Sequence, residues 1–373
     1  MNNIDSIAVR PICAEISRSA LRHNYLLARQ RAPRSKLLAV VKAGAYGHGI
    51  DQALNAWRDA DGFALVELEA AIRLRQAGVT APILLLEGFF SEKEIPLLEK
   101  YRLATVIHHD AQLAILQAAI LQRPLDVFLK FNTGMNRLGF APRMLDKVLD
   151  ILGANGKAAS ITLMTHFAAA DDAAGIEEPL RRFREIERQA AQSGYFADKR
   201  PAVSVANSAA LLRSPESHGD WVRPGIMLYG ASPFADQSAA QVGLKPAMTL
   251  RSRIIAIQDL GPGDGVGYGA TFRAEKPMRI GIVACGYADG YPRHAPSGTP
   301  LLVEGIRTRT VGRVSMDMLA ADISEIPKAG LMSPVTLWGE GLSVDEVAAA
   351  AQTVGYELLC ALAPRVPIIE VGL

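Results

Sequence analysis

The chain has 373 residues, of which 49% are hydrophobic and 21% charged, with a formal net charge of +2 and no block of lysine or arginine. These values are ordinary for a soluble globular protein, and they argue against nucleic acid or an anionic membrane as the main partner. Residues 1–10 lack the apolar core of a signal peptide, and no stretch reaches the roughly 18 apolar residues that span a bilayer. We therefore expect a soluble, cytoplasmic protein.

The cysteine pattern favours a reducing compartment. Cys13, Cys285 and Cys360 are odd in number, lie far apart and show no metal-ligand spacing. We expect three reduced thiols and no metal site.

The first part of the chain alternates short apolar runs with segments of helical periodicity. Candidate strands lie at residues 37–42, 62–66, 82–87, 104–108, 126–131, 160–166, 202–206 and 226–230. Candidate helices lie at residues 51–58, 67–76, 92–100, 111–122, 142–153 and 177–193, with a short seventh one near 208–213. Continuous apolar runs separated by helices are typical of parallel strands in βαβ units. Eight such units predict an α/β fold, a (β/α)8 TIM-type barrel over residues 11–236, although a doubly wound open sheet also fits the pattern.

The pattern changes after about Pro233. Short β-branched runs at residues 250–258, 278–284, 301–303, 308–314 and 334–338 are separated by glycine and proline turns, which is typical of antiparallel strands. One helix is expected near residues 343–351, with Ser343 as its N-cap. We predict a mostly antiparallel β domain over residues 237–373, and residues 1–10 are candidates to pair with it.

Several polar side chains follow the predicted barrel strands, and functional groups in such a barrel gather at the carboxyl ends of the strands. Lys42 ends the first strand, where it is either a Schiff-base nucleophile or a side chain that has reached solvent. Lys130 lies at the end of the fifth strand and Arg137 follows it, and both suit an anionic ligand or a solvated loop. His166 ends the sixth strand, where a structural role is the commoner one.

The loops after the last two barrel strands are the usual phosphate site of this fold. Asn207 and Ser208 follow the seventh strand, and Arg223 and Gly225 lie near the eighth. These residues suit a phosphate, but they also suit plain turns.

In the second domain, the sequence around Tyr268 matches a G-x-G-x-x-A pattern without the βαβ context of a dinucleotide site, so we interpret it as an exposed tyrosine on a glycine-rich turn.

Taken together, these segments resemble the alanine racemase family over nearly the whole chain. The motifs that carry the resemblance are VVKAGAYGHG at 40–49, TGMNRLG at 133–139, THF at 165–167, ANS at 206–208, RPGI at 223–226, GYG at 267–269 and SMD at 315–317. The resemblance implies a pyridoxal-phosphate-dependent amino-acid racemase (an isomerase) that works as a homodimer. It would interconvert L-alanine and D-alanine and supply D-alanine for peptidoglycan.

The resemblance also implies a cofactor site. Lys42 would form an aldimine with pyridoxal 5'-phosphate, Arg223 would contact the pyridine nitrogen, and His166 would lie against the ring. The phosphate would be held by residues from several loops, with Asn207 beside them: Tyr46, Ser208, Gly225, Ile226 and Tyr356. Arg137 would contact the cofactor's phenolic oxygen and the carboxylate of the substrate.

A second subunit completes the site that the resemblance implies. Tyr268 and the backbone of Met316 would enter from the partner, and Lys42 and Tyr268 would act as two bases on opposite faces of the substrate. Supporting or entryway positions are Asp171, Tyr287, Arg293, Arg313 and Asp317. Lys130 matches a position that is carbamylated in some members of the family.

Two positions depart from the family pattern. The family usually has asparagine where this chain has Gly44, and often aspartate where it has Asn132. Both lie beside motif residues rather than on the acid–base pair, so they put the local loop geometry in question and not the reaction.

Three rival functions stay open on the sequence. A barrel-type decarboxylase or aldolase with the same cofactor typically places an acidic residue at the pyridine nitrogen, where this chain has Arg223. A non-catalytic pyridoxal-phosphate carrier on the same barrel is a single domain, whereas this chain has a second domain with Tyr268 and Met316. A racemase for serine or with broader specificity differs in pocket packing, which the sequence does not show.

Overall fold

A computed structural model describes residues 10–154, 156–196 and 199–372. Its strands are β1 (Cys13–Ser17), β2 (Lys36–Val40), β3 (Gly62–Leu65), β4 (Ile83–Leu85), β5 (Ala104–Ile107), β6 (Leu125–Lys130), β7 (Ala158–Met164), β8 (Ala202–Ser204), β9 (Trp221–Val222), β10 (Met248–Leu260), β11 (Gly265–Val266), β12 (Phe272–Arg273), β13 (Met278–Val283), β14 (Pro300–Val303), β15 (Ile306–Val311), β16 (Leu319–Asp322), β17 (Pro334–Trp338) and β18 (Ile368–Val371). Its helices are α1 (Arg18–Arg31), α2 (Lys42–Tyr46), α3 (Ile50–Ala56), α4 (Leu68–Gln76), α5 (Ile95–Lys100), α6 (Asp110–Ala118), α7 (Leu145–Ala154), α8 (Glu177–Gln192), α9 (Ser208–Arg213), α10 (Val344–Ala350) and α11 (Gly355–Cys360).

The first eight-stranded sheet is a parallel barrel. Its strands follow the order β8, β7, β6, β5, β4, β3, β2, β9, and each neighbouring pair is parallel. Across the seam between β8 and β9, the Arg223 backbone N–H donates to the Ala206 carbonyl (2.9 Å), and Ser204 Oγ donates to the Trp221 carbonyl (3.0 Å). The predicted barrel is confirmed, and the open sheet is excluded.

The eighth strand differs from the prediction. The sequence analysis placed it at residues 226–230, and this is wrong: the strand is β9, and Ile226–Tyr229 forms a buried 3₁₀ turn. A short continuous apolar run has no periodicity that separates a buried strand from a buried helical turn.

The second sheet is built around a ring of antiparallel strands. β13, β16, β15, β14, β17 and β10 follow one another, and β13 also pairs with β10, which closes the ring. β1 pairs with β10 and β18 at the edge of this sheet. The predicted barrel range 11–236 therefore includes a strand that lies in the β domain. The expected pairing of residues 1–10 falls, apart from Arg10, outside the described residues.

The helix α1 connects β1 to the barrel and was not predicted. It is rich in arginine, and its buried residues are Ala20, Leu21, Asn24, Tyr25 and Ala28, which recur at the helical spacing of three and four. The Ser17 side chain caps it by accepting from the Ala20 N–H (3.1 Å). Both signals are readable in the sequence. In the β domain, Ser343 caps α10 as expected.

Two further expectations concern compartment and membrane. The three cysteines are free thiols. Within the described ranges, no helix has both the length and the apolar character needed to cross a bilayer.

Candidate active site

A cavity of about 650 Å³ lies at the carboxyl ends of the barrel strands. It brings together twelve of the side chains predicted for the site: Lys42, Tyr46, Lys130, Arg137, His166, Asp171, Asn207, Ser208, Arg223, Gly225, Ile226 and Tyr356. Eleven of them come from barrel segments that are far apart in sequence and that a parallel barrel places at one end, and Tyr356 comes from α11 of the β domain.

Lys42 stands at the mouth of the cavity and begins α2, a single turn whose residues 43–46 are left-handed rather than α-helical. Ala43, Gly44, Ala45 and Tyr46 have φ values of 53°, 60°, 57° and 51°. A left-handed conformation costs a residue with a Cβ roughly 1–2 kcal/mol, so the surrounding structure must hold this turn in place. Such strain concentrates at functional sites. Gly44 is the one residue of the turn without this cost, and a Cβ added there would meet nothing within 4 Å.

One wall of the cavity is a cradle of hydroxyl groups and backbone N–H groups. The Gly225 N–H donates to Ser208 Oγ (2.9 Å). A Cβ on Gly225 would lie 2.4 Å from the Tyr46 hydroxyl, so glycine allows this hydroxyl to approach the backbone. Tyr356 lines the same cavity, with its ring 6.2 Å from that of Tyr46. Hydroxyls and exposed backbone N–H groups are typical of a phosphate site.

Asn207 has a second use at this wall. Its side-chain oxygen accepts from the Ala210 N–H (3.0 Å) and caps α9. The plain-turn interpretation of the Asn207 oxygen therefore fits, and only its amide NH₂ group is left for a ligand.

Arg223 is a buried cation in the lining of the same cavity. Its Nη1 donates to Ser204 Oγ (2.7 Å) and its Nη2 to the Thr165 carbonyl (2.7 Å). Nη2 also lies 3.4 Å from His166 Nδ1. Burial lowers the pKa of Arg223 to about 9, which leaves the guanidinium charged at neutral pH.

The electrostatics of the cavity are dominated by positive charge. Burial, followed by the charges of Arg223, Lys130 and other cations, lowers the pKa of His166 well below its ordinary value. His166 is therefore a neutral imidazole at neutral pH. Burial, followed by Arg223 and Arg137, lowers the pKa of Lys130 to about 8, against an opposite effect of Glu87. A cavity with this balance suits an anionic ligand.

The loop that carries Arg137 is shaped by Asn132. The Asn132 Oδ1 accepts from the backbone N–H groups of Gly134 and Asn136 (both 3.0 Å). Its Nδ2 donates to Asn136 Oδ1 (2.9 Å). These bonds hold Asn136 at a φ of 55°, directly before Arg137.

Six predicted site residues lie on the β domain and do not line the cavity: Tyr268, Tyr287, Arg293, Arg313, Met316 and Asp317. Within one chain, the side chain of Tyr268 is 72% exposed and that of Met316 is 53% exposed. The Tyr268 turn packs on Arg313, because a Cβ on Gly269 would lie 3.3 Å from the Arg313 guanidinium.

The structure adds residues that the sequence analysis missed. Glu87, Phe90 and His108 line the cavity from the ends of β4 and β5. Glu87 and His108 directly follow apolar strand runs, the same signal that identified Lys42. Ser204 was missed because a serine inside an apolar strand has no pattern of its own.

Comparisons with known proteins agree with this geometry. Residues 16–233 match the family model "Alanine racemase, N-terminal domain" and residues 247–370 match "Alanine racemase, C-terminal domain". The chain is 58% identical over 359 residues to the alanine racemase of Nitrosospira multiformis, covering 95% of this chain and 98% of that protein. It is 54% identical over 361 residues to the catabolic alanine racemase of Klebsiella aerogenes, covering 96% and 99%. The solved biosynthetic alanine racemase from Pseudomonas aeruginosa matches with a TM-score of 0.91 and 48% identity, covering 97% of this chain and 100% of that one.

Proposed function

Since this chain belongs to the alanine racemase family, we propose that it is an isomerase that interconverts L-alanine and D-alanine with pyridoxal 5'-phosphate as cofactor. The observation that carries the proposal is the barrel cavity in which Lys42 lies together with a cradle of hydroxyls and a buried arginine. We further propose that the D-alanine serves peptidoglycan synthesis and that the enzyme acts in the cytoplasm.

The residues of the cavity fit this cofactor. The hydroxyls of Ser208, Tyr46 and Tyr356 and the backbone at Ile226 line the cavity and would offer donors to a phosphate. The Gly225 N–H now donates to Ser208 Oγ and would exchange that acceptor for the phosphate, and glycine at this position lets the Tyr46 hydroxyl approach the backbone. Lys42 would hold the cofactor's carbonyl carbon, Arg223 its ring nitrogen and His166 one ring face. When bound, pyridoxal phosphate supplies an electron-withdrawing ring that stabilises negative charge on the substrate's α carbon.

Two bases perform the proton transfers in this proposal. One proton must leave one face of the α carbon and another must arrive on the opposite face, and a single base could do both only by crossing the substrate. We assign Lys42 Nζ to one face and the phenol oxygen of Tyr268 from a second subunit to the other. Arg137 binds the substrate carboxylate through charge-assisted hydrogen bonds.

The remaining predicted residues belong to the approach to the site in this proposal. We propose Asp171, Tyr287, Arg293 and Arg313 as the entryway. We also propose that the backbone of Met316 crosses the dimer interface to bind the substrate of the second subunit, with Asp317 supporting the Met316 turn. The Arg293 guanidinium lies over the Tyr287 ring at 5.9 Å, which supports a common placement of these two side chains.

The homodimer in this proposal is tested by mixing two inactive variants, Lys42→Ala and Tyr268→Ala. If Tyr268 acts across the interface, a mixed dimer contains one site with both native bases and one with neither, and mixing restores part of the activity. If Tyr268 acts within its own chain, each site of a mixed dimer lacks one base and no activity returns.

The first experiment measures an absorption spectrum and the loss of optical activity on one preparation, wild type beside Lys42→Ala. A bound-cofactor band, together with racemisation of both alanine enantiomers, supports the cofactor, reaction and substrate at once. Their joint loss in Lys42→Ala assigns the chemistry to that lysine. A cofactor band without turnover of alanine would favour serine, another amino acid or the carrier function, and no bound cofactor would contradict the proposal.

A further inference from the structure

Asp289 is a fully buried carboxylate outside the cavity. Its Oδ1 accepts hydrogen bonds from Arg10 Nη1 (2.6 Å) and Arg365 Nε (2.8 Å). Its Oδ2 accepts from Arg10 Nη2 (2.9 Å) and from the Gly286 backbone N–H (2.8 Å). Burial alone would raise the pKa of this carboxyl, but the bonds from the two arginines outweigh burial and hold the pKa of Asp289 below its ordinary value. Asp289 is therefore ionised at neutral pH.

The same two arginines reach a second turn of the β domain. Arg365 Nη2 donates to Asp317 Oδ1 (2.7 Å), and Arg10 Nη2 donates to the Asp317 backbone carbonyl. Arg365 thus bridges two carboxylates with one planar guanidinium, which fixes both distance and orientation. We call Arg10, Asp289, Asp317 and Arg365 the ionic network.

The ionic network joins two turns, residues 286–289 and residues 315–317, whose backbones are hydrogen-bonded to each other. The Tyr287 N–H donates to the Ser315 carbonyl (3.0 Å) and the Ala288 N–H to the Met316 carbonyl (2.9 Å). A Cβ on Gly286 would lie 2.3 Å from the Ser315 oxygen, so this close approach requires glycine. The two turns form one unit, and the ionic network ties that unit to Arg10 and to the segment near the C-terminus.

The unit presents side chains to solvent rather than to its own domain. Tyr287 and Met316 both project from it as exposed side chains. Charge-assisted hydrogen bonds impose a defined geometry on such turns. An apolar residue in place of Asp289 could stabilise the fold, but it would not set the direction of the Met316 turn.

We propose that Asp289, Arg10 and Arg365 are positioning residues for the active site of the second subunit, because they fix the turn whose Met316 backbone binds the substrate there. They touch neither the cofactor nor the substrate and act through the 315–317 turn. The inference rests on the proposed function, in which Met316 crosses a dimer interface.

The test compares Arg365→Ala with a matched control, Arg251→Ala, in the cofactor-loaded protein. Arg251 also lies on the β domain, also bridges two carboxylates, those of Glu15 and Glu340, and is similarly exposed, at 34% against 43% for Arg365. Its partners do not belong to either turn. Arg365→Lys serves as the conservative variant, because it keeps the positive charge but not the planar bridge.

The expected result is a change in KM that the control does not share. Losing the bridge removes one charge-assisted hydrogen bond from the Met316 turn, and we expect KM for both alanine enantiomers to rise about tenfold in Arg365→Ala. Arg365→Lys should recover part of this loss. The cofactor absorption band should stay unchanged in all three variants. A merely structural role would lower thermal stability and the active fraction and leave KM unchanged.

Hydrogen exchange gives a second readout that needs no activity. The backbone N–H groups of Tyr287, Ala288 and Ser315 are hydrogen-bonded within the unit, so their exchange should accelerate in Arg365→Ala and not in Arg251→Ala. A KM change below about threefold in Arg365→Ala, or an equal change in Arg251→Ala, overturns the proposal. If the wild type does not racemise alanine, the proposed function fails, whereas the exchange pattern still decides whether the network fixes the turn.

Discussion

Arg223 Nη1 donates a hydrogen bond of 2.7 Å to Ser204 Oγ, and the Ser204 hydroxyl donates in turn to the Trp221 carbonyl (3.0 Å). Arg223 is only 4% exposed and Ser204 is fully buried. Within the described part of the chain, the hydrogen-bond partners of this guanidinium are hydroxyl, carbonyl and imidazole groups, with no carboxylate among them. Ser204 therefore orients a buried cation without neutralising it.

We expect Ser204→Ala to weaken both stability and turnover. The substitution leaves a buried N–H of Arg223 without its acceptor, which lowers the free energy of unfolding by about 1–3 kcal/mol, and it removes the bond that orients Nη1 while the bonds of Nη2 remain. Urea unfolding and kcat measure the two effects. Ser217→Ala is the control, because Ser217 is also buried and its hydroxyl donates to the Ser214 carbonyl (2.7 Å), away from the cavity. Equal kcat in Ser204→Ala and the wild type would contradict this role.

The missing carboxylate beside Arg223 has a chemical consequence. A guanidinium that keeps its proton gives none to the ring nitrogen of the cofactor, which limits the stabilisation of negative charge at the α carbon and leaves less opportunity for side reactions. We expect Arg223→Glu to raise transamination relative to racemisation. The measurement is the ratio of pyruvate to the opposite alanine enantiomer, and an unchanged ratio would count against the idea.

The stability of the protein should depend on pH through Lys130. Its pKa is lowered from 10.5 to about 8, first by burial and then by neighbouring cations. Between these two pH values the unfolded chain holds a proton that the folded chain has lost, so the free energy of unfolding rises with pH across this window. In CO₂-free buffer, the wild type should gain stability relative to Lys130→Met from pH 8 to pH 10. A difference that stays constant would contradict the lowered pKa.

The neutral amine of Lys130 is also the form that reacts with CO₂. The amine nitrogen forms a new N–C bond to CO₂ as one C=O π bond breaks, and one proton is released, so a neutral amine becomes a negative carbamate in the field of Arg223 and Arg137. On the basis of the family resemblance, we expect a carbon-13 carbamate signal from labelled CO₂ to grow as the pH rises through about 8, the pKa of Lys130. The signal should vanish in Lys130→Arg and persist in the control Lys147→Arg, which removes an exposed lysine.

The sequence predicted which side chains line the cavity better than it predicted the backbone that carries them. Lys42, His166 and Ser208 follow apolar runs, so their position at one end of a barrel was readable from the strand pattern. The eighth strand was not, because Trp221–Val222 has two residues and the longer apolar run after it folds as a 3₁₀ turn. The left-handed turn after Lys42 was also unreadable, since alanine has no preference for positive φ. Asp289 and Arg10 are 279 positions apart, and no periodicity links such residues.

Gly44 should be replaceable without loss of stability by a residue that tolerates a left-handed conformation, such as the asparagine that the family usually has there. Gly44 has a φ of 60° and faces open space, and asparagine adopts such angles more readily than most residues. We expect Gly44→Asn to keep the wild-type free energy of unfolding, and Gly44→Val to lower it by about 1–2 kcal/mol. Gly194→Val is the control, because Gly194 also faces open space and has no positive φ. Urea unfolding measures all three, and a stable Gly44→Val would contradict the requirement.

Two substitutions at Asn132 distinguish the effect of a negative charge from the effect of losing the loop's hydrogen bonds. Asn132→Asp keeps the acceptor for the backbone N–H groups of Gly134 and Asn136. It replaces Nδ2, which in the native chain donates to Asn136 Oδ1, with a second carboxylate oxygen that repels Asn136 Oδ1. A charged acceptor strengthens the two bonds that remain. We therefore expect the KM for alanine in Asn132→Asp to stay within about threefold of the wild-type value, which is a smaller rise than the loss of one full hydrogen bond would cause. Asn132→Ala removes all three bonds and releases the loop that carries Arg137, so its KM should rise at least about tenfold. If both variants raise KM equally, the Nδ2 bond alone holds Arg137, and the two backbone bonds contribute nothing to substrate binding.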